Sequence, residues 1–291
     1  MKKLLCALFV GVLLAASLSF AAERRVIRLG LLTKLNSTEE EFSETWRRTF
    51  APNNERLDVV VRFYDSLTAM QMALNAFEIN EMVLPEAAAN YLLAQTRDYE
   101  VMLVLQSRGM GLAFGFREDS TPLRDKFNEA LASLQGEWLL AALEGRYIAS
   151  PSHEDPAPVK FETFEGAETI RVAVTGDLPP IDFIAADGTP AGFNTAVLAE
   201  VGRVLRMNVE LVNVEAGART AALASGRVDA VFWYEVDASA SAQPDVPEGV
   251  ILSAPYYEWT KFMHLRKASP QRTSTGWNLG QSILDLFYPN R

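Results

Sequence analysis

Two stretches of this chain begin alike, and that repetition limits the fold more than any other feature. VIRLGLL (26–32) and TIRVAVT (169–175) are short apolar runs of strand type, built around Ile27 and Ile170. Further along, ALNAFEINEMVL (73–84) and ALASGRVDAVF (222–232) each pass from a helix end through a turn into a strand. Leu74 and Leu223 fall at nearly the same distance from their respective openings. A pattern that restarts after so long a period implies two similar units rather than one enlarged core.

Between these landmarks strands and helices alternate. NSTEEEFSETWRRTF (36–50) reads as a helix, with Ser37 and Glu40 spaced as a capping box. LDVVVRFYD (57–65) and NEMVLP (80–85) read as strands, SLTAMQMALNAF (66–77) and EAAANYLLAQ (86–95) as helices. YEVMLVL (99–105) and GLAFGF (111–116) follow as two strands, then helices over 121–134 and 136–147. The polar, proline-broken segment 149–168 reads as an extended linker. Strands separated by helices predict mostly parallel sheets covered on both faces. The expected architecture is therefore α/β, with two lobes around a cleft, and clefts at strand ends are where small ligands bind.

The 49% hydrophobic and 22% charged residues allow a sizeable core and argue against gross disorder. The net charge of −10 argues against a nucleic-acid partner or an anionic membrane surface, which would call for a basic patch. The N-terminus places Lys2 and Lys3 before an apolar run too short to span a bilayer, and Ser19-Phe20-Ala21 supplies small residues at a cleavage site. Residues 1–21 therefore read as a secretory signal peptide cut after Ala21. The only cysteine, Cys6, lies within it, so the mature chain is expected to hold no disulfide, thiol nucleophile or cysteine metal ligand. The expected location is periplasmic.

The second half carries residues that identify a family. Pro179-Pro180, Asp187-Gly188 and Gly192-Phe193 sit in one register ahead of a helix, followed by ALASGRVDAVF (222–232), SAPYYEW (253–259) and the strand KFMHLRKAS (261–269). In that order these resemble the first lobe of amino-acid-type periplasmic solute-binding proteins, the bacterial extracellular solute-binding proteins of family 3. The first half resembles that family's second lobe, through NSTEEEF (36–42), ALNAFEINEMVLPEAAANYLL (73–93) and GLAFGFREDSTPLRDKFNEALASL (111–134). The resemblance thus implies a type II periplasmic binding fold whose lobe order is swapped by circular permutation, with 149–168 joining the old termini. One lobe would comprise 22–110 plus 268–291 and the other 111–267. Crossings near 110–116 and 262–268 would form the hinge. The permutation requires Ile27–Leu32 and Ile170–Val174 to lie in opposite lobes.

The resemblance also implies a site, from which this chain departs. The family's carboxylate-binding arginine falls on Val246; Arg227 and Arg266 are out of register. The aspartate that meets an α-amino group becomes Pro85, with Glu86 beside it, and the stacking aromatic becomes Ile181. The small residues after the strand become Trp233-Tyr234-Glu235. The amino-acid clamp is missing, which favours a ligand other than an ordinary α-amino acid. Thr33, Asn36, Ser37 and Thr38, at a strand end leading into a helix, could offer backbone N–H groups to an anion or carbonyl, or could simply cap the helix. Thr175 and Asp177 end the corresponding strand of the other lobe. Trp233 and Tyr234 could stack on a planar ligand or belong to the core; Glu235 suits a cationic group or a solvated rim.

The function expected from these features is capture of a small polar or amphipathic solute, an amino acid or related metabolite, for a membrane permease of an ABC importer. The alternative is a ligand-sensing receptor module, or a degenerate binding protein working through a protein partner. A monomer without cofactor or bound metal is expected, since His153 and His264 belong to no metal-spaced cluster. An enzyme would require an acid or base in the cleft, and Glu86 and Glu235 are the only candidates. Nothing in the sequence pairs them, so no catalytic activity is expected.

Overall fold

A computed structural model describes residues 25–50, 56–149, 154–237 and 245–269. The expected signal peptide, His153 and most of the C-terminal tail lie outside them. Strands and helices are numbered here in chain order. Among the described residues the first half contributes β1 (Arg25–Leu32), α1 (Glu39–Phe50), β2 (Leu57–Tyr64), α2 (Leu67–Asn75), β3 (Glu81–Pro85), α3 (Glu86–Gln95) and β4 (Tyr99–Arg117). Helices α4 (Thr121–Gly136) and α5 (Leu139–Tyr147) precede the linker. The second half contributes β5 (Thr169–Val174), β6 (Asp177–Leu178), β7 (Asp182–Ile184), β8 (Pro190–Ala191), α6 (Phe193–Leu205), β9 (Asn208–Asn213), α7 (Arg219–Ala224), β10 (Ala230–Asp237), β11 (Val250–Leu252) and β12 (Tyr257–Lys267). None of the described helices is long and apolar enough to cross a membrane.

The repeat seen in the sequence is a repeat of topology. β1 lies between parallel neighbours β2 and β3, and β5 lies between parallel neighbours β9 and β10. Each opening strand is thus central to its own three-stranded parallel unit, where both faces are covered and an apolar run is the stable choice. The units sit at opposite ends of one mixed sheet ordered β2-β1-β3-β12-β4-β10-β5-β9, with β11 on β4. Residues 27–32 and 170–174 thus occupy different halves, although the crossing strands join those halves into one ladder. The largest buried cluster also runs through both halves, from Leu67 and Leu84 to Ile170 and Phe232.

Two long strands make that ladder continuous. β4 was expected as two strands with a break, but it runs unbroken for 19 residues, about 60 Å at 3.3 Å per residue. Its first part pairs only with β12, its last part with β10, β11 and the start of β12. The register slips where the halves meet: Trp259 opposes Met110, whereas Lys261 opposes Gln106. Gly109 lies in that slip at φ 92°, in the left-handed region open to glycine. From Phe262 onward β12 pairs with β3, so the second crossing lies near residue 260, earlier than the 262–268 expected. The first lies near 106–110 rather than 110–116.

One glycine in the family-like register has a clear steric cause. Gly192 precedes α6 at φ 90°, and a Cβ there would stand 3.0 Å from the carbonyl oxygens of Pro180 and Ile181. Those same carbonyls accept from Phe193 and Asn194 N–H, seating the helix on the turn.

Candidate functional site

The C-terminal ends of β1 and β3 face the ends of β5 and β10 across the line where β4 and β12 cross. On the first side, Thr33 follows β1 and donates its hydroxyl to Asp65 at 2.7 Å. On the second side, Thr175 follows β5 and donates both N–H and hydroxyl to the buried Asp182, at 3.0 and 2.9 Å.

Carboxylates of one half meet backbone N–H groups of the other. Asp177 accepts from Thr68 N–H at 2.9 Å and from its hydroxyl at 3.1 Å, in the first turn of α2. Asp65 accepts from Gly217 N–H at 3.2 Å. Asp245 accepts from the N–H groups of Leu35 and Asn36, at 2.7 and 3.0 Å. Between Thr33, Asp65, Thr175, Asp177 and Arg219 there remains about 10 Å³, room for roughly one water.

A larger cavity opens beside these latches. It holds about 220 Å³ and is lined by Leu31, Leu32, Lys34, Phe42, Trp46, Val83, Pro85, Met110 and Phe262. Its walls are β1, β3 and α1, and the two crossing strands close one side. Among the described lining residues Lys34 is the one that is charged, and it is only 8% exposed. Burial lowers its pKa from 10.5 to about 8; the Asp245 carboxylate partly offsets this, and the Arg219 cation adds to it. The ammonium lies 5.6 Å from the centre of the Phe42 ring. Arg219 is also buried, donating to the carbonyls of Ala216 and Phe232.

Residues 170–279 match the family model of bacterial extracellular solute-binding proteins, family 3. That match begins at β5 and takes in the whole second parallel unit and β12. The family resemblance read from the sequence is thus found in the half where its motifs were located. No curated protein sequence matches the chain. Solved structures with similarity include the alkanesulfonate-binding protein SsuA from Xanthomonas axonopodis pv. citri bound to MOPS. It is 12% identical, with 85% of this chain and 67% of that one covered and a TM-score of 0.42. The GluR0 ligand-binding core complexed with L-glutamate is 12% identical, covering 91% and 93%, at 0.42. The reduced OxyR regulatory domain of Pseudomonas aeruginosa is 10% identical, covering 89% and 94%, at 0.41.

Asp245 adjoins Val246, where the resemblance leads one to expect an arginine, and carries the opposite charge. Sequence reasoning passed over it, and passed over Lys34, because neither fits the family's spacing. The available signal was a lone lysine between apolar β1 and the N-terminus of α1, where burial makes a cation costly.

The structure relocates several expected residues. The capping box is formed by Thr38 and Glu41, one position later than expected: Thr38 N–H donates to the Glu41 carboxylate at 2.8 Å, and Glu41 N–H donates back to the Thr38 hydroxyl at 3.2 Å. Thr38 therefore caps α1, and the same loop, through Leu35 and Asn36, also binds Asp245. Ser37 sits half-buried in that loop. Ile181 is 1% exposed and belongs to the core, so it presents no surface to the cleft. Glu86 pairs with Lys261 at 3.0 Å, tying α3 to β12. Pro85 lines the cavity. Trp233 pairs with Ala113 through the backbone of β10, and the register slips before Val236. The side chains of Trp233, Tyr234 and Glu235 lie outside the described residues.

Proposed function

We propose that this chain is an exported solute-binding protein that holds a small polar or amphipathic solute between its two halves and passes it to the permease of an ABC importer. The observation that carries this reading is the family 3 match over 170–279 on a molecule built of two like parallel units, with a cavity of about 220 Å³ between the first unit and the crossing strands. Crossing strands with a register slip at Gly109 suit a hinge, and hinged closure would bury the solute from both sides. In this reading the chain works as a monomer in the periplasm after loss of residues 1–21. We also propose that it is a permuted member of the fold, because the family match starts at the second parallel unit.

Thermal shift of the mature protein against amino acids, polyamines, small carboxylates and aromatic metabolites tests the reading, since a ligand that binds only the folded state raises Tm. Absence of any shift, together with stabilisation by a protein partner, would replace it with the receptor alternative. One observation favours that alternative: the latches through Asp65, Asp177 and Asp245 draw the halves together on the chain's own carboxylates.

A further inference from the structure

Three carboxylates reach across the cleft, and they reach in both directions. Asp65 belongs to the first half and accepts from Gly217 N–H of the second. Asp177 and Asp245 belong to the second half and accept from Thr68, Leu35 and Asn36 N–H of the first. A set that reaches both ways resists sliding as well as opening. Each bond sets a negative carboxylate on a backbone N–H, the stronger class of hydrogen bond. The closed arrangement is also built into local structure. The first turn of α2 leaves N–H groups that its own ladder cannot satisfy. Ser66 takes the Ala69 N–H at 3.0 Å, and Asp177, from the other half, takes the Thr68 N–H and hydroxyl. Helix α2 is thus capped partly by its own chain and partly from across the cleft. Thr33 holds Asp65 from within the first half and so orients it. The space left among these groups is about 10 Å³, enough for a water but not for a larger solute. Latches on one hinge reinforce one another: once one is made, the others close within a single molecule at high effective concentration.

We propose that the chain rests closed without a solute, with Asp65, Asp177 and Asp245 bridging its halves. The contact is autoinhibitory. A solute reaches the cleft only in the minor open form, and its apparent affinity falls in proportion to the fraction of molecules that are open. The resting closure goes beyond the solute-binding reading; its effect on solute capture rests on that reading.

The test needs no solute. Cys6, the only cysteine, falls in the expected signal peptide, so two introduced cysteines in the mature chain take spin labels uniquely. Thr45 on α1 and Ala221 on α7 are exposed, one in each half, and each is replaced by cysteine. Double electron–electron resonance on the labelled mature chain should show one short, narrow distance. Asp65→Ala, Asp177→Ala and Asp245→Ala should each raise the population of a second, longer distance by roughly tenfold, and the triple variant should make it the major one. Asp229→Ala is the control: it breaks the ion pair with Arg171 inside the second half and should leave the distances unchanged. All variants are checked for cooperative melting, and the single variants decide the matter if the triple variant does not fold. Three results would each overturn the proposal and leave solute binding standing: a wild-type chain mostly at the longer distance, folded latch variants that keep the short one, or an Asp229 variant that opens as far. A short distance in the wild type that lengthens in the latch variants, with no thermal shift by any solute, would overturn the solute-binding reading and leave the closure standing.

Discussion

Replacing Lys34 with methionine probes the buried charge directly. The Lys34 side chain is 8% exposed, and its pKa falls from 10.5 to about 8. A base whose folded pKa lies below its unfolded value destabilises the fold while both states are protonated. At about 1.4 kcal/mol per pH unit, the gap corresponds to a penalty of about 3 kcal/mol at neutral pH. The penalty is complete below about pH 8 and shrinks as the folded lysine loses its proton first. It vanishes near pH 10.5, where the unfolded lysine loses its proton too. Methionine keeps most of the apolar stem and carries no charge. Lys34→Met should therefore be more stable than wild type by about 3 kcal/mol at pH 7, raising Tm by roughly 5 to 10 °C for a chain of this size. Urea denaturation of both proteins from pH 7 to 10.5 isolates the effect, because other titrating groups cancel in the difference. A difference that stays flat across this range, or a variant less stable at pH 7, would refute the reasoning.

Other outcomes follow from particular contacts. Asp245→Ala removes two charge-assisted bonds between the halves, so hydrogen exchange at the Leu35 and Asn36 amides should speed up by roughly tenfold or more, and small-angle scattering should report a larger radius of gyration. Asp177→Ala removes the carboxylate that caps the first turn of α2 from across the cleft and should cost about 1 kcal/mol in a urea titration. Gly192→Ala forces an L residue to φ 90° with its Cβ against two carbonyl oxygens, and a loss of about 2 kcal/mol or more is expected by thermal melting. Tyr91→Phe removes the 2.8 Å bond to Asp155, which ties α3 to the linker, and should lower stability by about 1 kcal/mol without altering the spin-label distance.

Much of the fold was legible in local pattern. The apolar runs of β1 and β5, the alternation with helices and the turn before α6 follow from hydrophobic periodicity and from the glycine at Gly192, all of them short-range constraints. Local pattern was enough to reveal two similar units, the polar segment between them and a family likeness carried by the motifs of the second half. Tertiary structure alone decided how these units share a sheet. The segments 99–105 and 111–116 read as separate strands because Ser107 to Gly109 is a weak strand sequence, yet pairing with β12 carries one strand through both halves. The site was less legible still. Thr33, Thr175 and Asp177 do converge, but on a space of about 10 Å³, and of the three the hydrogen bonds of Asp177 reach the other half. The roomier cavity is assembled from β1, α1, β3 and both crossings, and Asp245 reaches Leu35 across 210 positions of sequence. No local spacing encodes such a meeting. It arises because closing the sheet through β4 and β12 brings the ends of two distant parallel units together, and burial then sets the chemistry of the lysine caught between them.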